Sequence, residues 1–121
     1  MFKNLRFVYI TTPSRAEAEQ IGRMLVEKEL AACVNIIPGM ESIYRWKGRI
    51  ETSQECVLIA KTTRRNMARL THAVKQAHSY EVPCVVALTV TEQEGNEEYL
   101  TWLLRESGTD PSMITPSNSD G

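Results

Sequence analysis

The stretch CVNIIPGMESIYRWKGRIETSQECVLIAKT, Cys33 to Thr62, constrains the fold of this chain more than any other. Its two arms, Cys33–Trp46 and Arg49–Lys61, are rich in Val, Ile, Tyr and Trp. They meet at Lys47-Gly48, which predicts a β-hairpin. At ~3.3 Å per residue each arm extends roughly 45 Å. A compact chain of 121 residues has a radius of gyration of about 14 Å, hence a diameter of roughly 35 Å. The hairpin is longer than the domain that carries it, so something else must cover the overhang.

The rest of the chain supplies a frame for it. Phe7–Thr12 is a β-branched and aromatic run stopped by Pro13, which predicts a first strand. Ser14, three residues before Glu17, has capping-box spacing, and Ala18, Ile21, Gly22 and Leu25 share one face of the helix that follows, expected to end near Leu30. Pro38-Gly39 interrupts the first hairpin arm and reads as a bulge on an edge strand. After the hairpin, Thr63 is expected to cap a second helix with Met67, Leu70, Val74 and Ala77 as its apolar stripe. Cys84–Thr91 predicts a last strand, and Asn96–Ser107 a last helix. The order is βαββαβ plus a C-terminal helix, the split βαβ, ferredoxin-like α+β pattern in a single domain over residues 1–107. Residues 108–121, GTDPSMITPSNSDG, are expected to be a disordered tail.

In that pattern the first and third strands are central, and the second is an edge. A long exposed edge invites aggregation unless it is paired. The overhang and the edge share one solution, a partner subunit, and the sequence therefore predicts an obligate oligomer.

Composition narrows the function. The apolar fraction of 42% and charged fraction of 24% are those of an ordinary globular domain. A formal net charge of -1 with scattered Lys and Arg argues against nucleic-acid binding. No apolar run approaches the ~20 residues of a membrane helix, so no membrane association is expected. MFKNLRFVYITTP lacks the pattern of a signal peptide, and three cysteines without a C-x-x-C suit free thiols. The cytoplasm is the expected compartment.

Few residues carry chemistry. Cys33, Cys56 or Cys84 could formally pair with His72 or His78, but no flanking signature of a thiol enzyme is present, nor is a phosphate-binding glycine loop. No enzymatic activity is expected. His72 and His78 are six residues apart, about 240° around a helix, and cannot share a metal. His72 reads as a surface residue. His78 ends its helix, either as a cation suited to the helix C-terminus or as a metal ligand. Imidazole and thiolate suit copper, although one histidine per chain needs a second chain to complete a site. Tyr44 and Trp46, in the overhang, suit an interface better than a ligand-pocket wall. Lys61 and Tyr80 are expected to converge at one sheet end, where they could hold a small anion or simply snorkel and cap a carbonyl.

The segments LAACVNIIPGMESIYRWKGRIE, ECVLIAKTT, HSYEVPCVVAL and EYLTWL, in this order from about Phe7 to Arg105, resemble the CutA proteins, the divalent-cation tolerance family. The resemblance implies a ferredoxin-like subunit in a homotrimer built like the PII-type signalling proteins, with long hairpins engaging neighbours. It implies a link to tolerance of copper and other divalent metals, with weak divalent-metal binding, and it establishes no catalytic reaction. Where some bacterial members carry a cysteine before Thr-Pro, this chain has Thr11. Where they carry adjacent histidines, it has Ala77-His78. His78 thus remains from three family ligand positions, with Cys33 of the AAC segment as a further candidate. Two alternatives stand beside weak metal binding. One is a PII-like sensor holding a small anion between subunits, with Lys61, Tyr80 and the Arg64-Arg65 helix start as polar groups and Tyr44 or Trp46 as walls. The other is a scaffold for a protein partner, with the tail as its handle.

Overall fold

The computed structural model describes residues 2–91 and 94–108. The tail expected to be disordered lies, from residue 109, outside the described residues. The elements are β1 (Leu5–Thr12), α1 (Arg15–Glu27), β2 (Cys33–Trp46), β3 (Arg49–Thr63), α2 (Met67–Ala77), β4 (Val85–Thr89) and α3 (Glu97–Glu106). Short 3-10 turns at Phe2–Asn4 and Arg64–Asn66 precede β1 and α2.

All four strands are antiparallel, in the order β2-β3-β1-β4. The central pair and both edges are those the ferredoxin-like pattern requires. Alternation sorts the side chains. Val8 faces Ala60, Ile10 faces Leu58, and Thr12 faces Cys56. These even-numbered residues are buried beneath Ala18, Ile21 and Leu25 of α1 and Leu70 and Val74 of α2. Gly22 is where α1 comes nearest the sheet. A Cβ there would stand 2.9 Å from Val34 Cγ2 and 3.3 Å from Leu58 Cδ1, so the glycine sets the helix-to-sheet spacing.

The odd-numbered residues face away from those helices. Near the start of β1, Leu5 and Phe7 pack under Leu100 and Leu103 of α3, together with Phe2 and Trp102. On the same face Ile37, Val86 and Leu88, the last two opposite Tyr9 and Phe7, are about half exposed.

The hairpin carries the irregularity expected at Pro38-Gly39. The register shifts between Ile37 and Met40, and Gly39 has φ +81°. Beyond this bulge the arms pair only with each other, because β1 ends at Thr12 opposite Cys56. Met40–Trp46 and Arg49–Glu55 therefore form a free ribbon roughly 23 Å long. At its tip Lys47 (φ +50°) and Gly48 (φ +78°) make the turn. Ile43 is 67% exposed, Trp46 55% and Ile50 62%.

Three local expectations change. Ser14 caps α1, its Oγ accepting from Glu17 N, but the Glu17 carboxylate accepts from Ser79 instead of closing a capping box. Thr63 makes no side-chain cap, because the 3-10 turn intervenes before α2. The final strand is also shorter than Cys84–Thr91. The end of α2 ties instead to long-range partners, and that is where the candidate site begins.

Candidate functional site

An α-helix that follows a strand and packs on its sheet runs back along that strand. Hence α2, leaving the end of β3 near Thr63, delivers His78 to the other end of the sheet. There the imidazole is fully enclosed by its neighbours. Its Nε2 lies 2.7 Å from the Thr11 carbonyl, and its Nδ1 lies 3.0 Å from the Tyr80 amide nitrogen. A carbonyl can only accept and an amide N–H can only donate, so the ring is held with its proton on Nε2. The Glu17 carboxylate stands 3.3 Å from Nδ1 and accepts from both Ser79 N (3.0 Å) and Ser79 Oγ (3.1 Å). The Tyr80 ring leans on the imidazole at 4.9 Å between centroids, and its hydroxyl donates to Glu55 Oε2 at 3.1 Å. His78 is thus the knot that joins α1, the end of β1 and the segment leading into β4.

The Tyr80 hydroxyl is pushed up to about 12, first by its withdrawal from solvent and then by its hydrogen bond to Glu55 and that carboxylate's charge. The folded value lies above the ordinary 10.0, so this contact contributes in full below pH 10.0 and fades as pH rises to about 12. Tyr80 is more than a third exposed, and solvent screening keeps the contribution small. In an absorbance titration at high pH, Tyr80 should give a late ionisation step near pH 12. Tyr80→Phe should remove that late step, and an unchanged late step would assign it elsewhere.

Lys61 sits at the opposite end. Its Nζ donates to the Tyr99 hydroxyl at 3.0 Å and lies 5.2 Å from the centre of the Phe7 ring and 5.3 Å from that of Tyr99. Cys33, its partner across the ladder, has Sγ 3.7 Å from the same hydroxyl. The expected convergence of Lys61 and Tyr80 is therefore corrected. Tyr80 reaches Glu55, six residues before Lys61 on β3, a separation of roughly 20 Å.

The metal pair parts for the same reason. His78 meets Thr11, which pairs with Val57, whereas Cys33 pairs with Lys61, four residues or roughly 13 Å further along β3. They also stand on opposite sides of that strand, Cys33 on β2 and His78 against the end of β1. Both His78 nitrogens are already engaged, and no group of three His, Cys, Asp or Glu side chains suited to a metal occurs among the described residues. Within one subunit His78 and Cys33 do not fit a shared ion. Tyr44 and Trp46 lie on the free ribbon, away from both clusters.

Sequence reasoning picked out His78 and missed its setting. Glu17 read as a capping residue, and Glu55 carried no signal of its own.

The family model described as "CutA1 divalent ion tolerance protein" matches residues 6–106. A divalent-cation tolerance protein CutA of Thermus thermophilus is 50% identical over 101 residues, covering 84% of this chain and 96% of that protein. A chloroplastic CutA of Arabidopsis thaliana is 43% identical over 96 residues, 79% of this chain but 52% of that longer protein. A solved structure of a divalent cation tolerance protein from Thermus thermophilus superposes with a TM-score of 0.81 at 48% identity, over 86% of this chain and 99% of the other.

Proposed function

This chain belongs to the CutA1 divalent ion tolerance protein family, and we propose that it serves divalent-cation tolerance as a non-catalytic homotrimer in the cytoplasm. The observation that carries the trimer is the free ribbon. Its backbone ladder is satisfied, yet Tyr44 and Trp46 are exposed on the face that continues Ile37, and Ile43 and Ile50 are exposed on the opposite face, while Val86 and Leu88 are uncovered on the sheet. Exposed apolar surface of this extent marks an interaction site. A second copy of the chain has the matching surface, and closed symmetry uses every such patch.

Divalent cation, copper first, is bound weakly by side chains that assembly brings together, since no single subunit gathers a ligand set among its described residues. The cysteines support the remaining parts of the reading. All three are free thiols, as a reducing compartment keeps them. Burial pushes the Cys56 thiol up, which favours an inert protonated form over a nucleophile.

Equilibrium dialysis against Cu(II) tests the cation part. The assembled protein should take up copper weakly, and a hairpin variant that does not assemble should take up much less. Equal uptake by both forms would place the ligands within one subunit, and no uptake by either would remove copper from the account.

A further inference from the structure

At the sheet end far from His78, where β3 gives way to α2, a shallow cleft of about 430 Å³ is lined by Asn4, Thr63, Arg64, Arg65 and Leu104. None of these is acidic. The turn that opens α2 carries Arg64 and Arg65 with no carboxylate, and Arg69 follows one turn later. This charge order is the reverse of what a helix favours, because its N-terminus is the positive end of the backbone dipole. Arg69 is held by Asn66 Oδ1 at 2.7 Å, and Arg65 reaches the Gly108 carbonyl at 3.5 Å. The Arg64 side chain is exposed and has no hydrogen bond or ion pair among the described residues, although its carbonyl accepts from Met67 N.

A second observation is independent of the helix. Thr63 lines the cleft and is 4% exposed, yet its Oγ1 has no hydrogen-bond partner among the described residues. Buried hydroxyls are normally paired, and this one caps nothing. Asn66 cannot serve as the cap either. Its amide nitrogen donates to Thr62 Oγ1 and the Ser107 carbonyl, while its oxygen takes Arg69.

We propose that this cleft is an oxyanion site that takes the phosphate or carboxylate group of a small ligand. The guanidinium of Arg64 supplies charge and paired donors, and Arg65 forms the neighbouring wall. The Thr63 hydroxyl rotates to donate. Leu104 offers an apolar flank for the body of the ligand. The inference stands apart from the cation reading, since Thr63 pairs with Leu5 at one end of the sheet and His78 binds Thr11 at the other.

The test is calorimetric titration of metal-free, full-length protein with inorganic phosphate and, separately, with citrate, which ranks the two head groups. Saturable binding in the millimolar range or tighter is expected for at least one of them. Arg64→Gln should weaken it about tenfold, and Thr63→Val should weaken it while circular dichroism reports an intact fold. Lys75→Gln, which removes the same charge at the far end of α2, should leave it unchanged. Absence of saturable binding of both anions would overturn the proposal. So would equal weakening by Arg64→Gln and Lys75→Gln, because attraction would then be diffuse.

Discussion

The double substitution Ile43→Ser, Trp46→Ser should convert the assembled protein into folded monomers at micromolar concentration. Neither residue supports the subunit core. Both stand on the ribbon beyond the bulge, where they are 67% and 55% exposed. Their loss should leave the secondary structure of the chain unchanged. In the proposed assembly they serve as large apolar anchors of each hairpin, and an anchor of this kind contributes about 2 kcal/mol or more. Each change occurs once per subunit and is felt at every symmetry-related contact, so the effects multiply around the ring. With ~1.4 kcal/mol equal to a tenfold change in affinity, dissociation should shift by several orders of magnitude. Sedimentation velocity at matched concentrations reads this directly. A variant that sediments like the parent would show that the ribbon is not what holds the copies together.

His78→Ala should cost about 3 kcal/mol of stability in metal-free protein. Removing the imidazole strips the buried Thr11 carbonyl and the part-buried Tyr80 amide of their partners, and a buried orphan costs ~1–3 kcal/mol. It also leaves a void where the ring was enclosed. His78→Gln can still send an amide N–H toward Thr11 and should recover part of the loss. The measurement is urea unfolding in a chelating buffer at fixed protein concentration, since an oligomer's apparent stability depends on that concentration. The two assignments for His78 separate here. A histidine kept for structure lowers the midpoint without any metal present. One kept as a free ligand would leave the metal-free midpoint where it was, contrary to this account.

Much of the architecture could be read from residues of particular types. Pro38-Gly39 marked the bulge and Lys47-Gly48 the turn. Ala18, Ile21, Gly22 and Leu25 marked the buried side of α1. These are local signals of period or backbone demand, and they do not depend on distant contacts. The site was less legible because its geometry is wholly long-range. His78 meets Thr11 across 67 positions, and Ser79 meets Glu17 across 62. The misplacement of Lys61 beside Tyr80 came from overlooking direction. Lys61 ends β3, and α2 then carries the chain back by roughly 16 Å, so its C-terminus returns near Glu55 instead. The vacant hydroxyl of Thr63 left no mark in the sequence, where the residue read as an ordinary cap.

The claim on which the rest depends is that the hairpin is long because its outer half belongs to a neighbouring subunit. Native mass spectrometry of the untagged protein tests it most directly. One dominant species at three times the 13.7 kDa chain mass is expected, persisting on dilution to low micromolar concentration. A species at the mass of a single chain would contradict it, and would leave the exposed ribbon without an explanation.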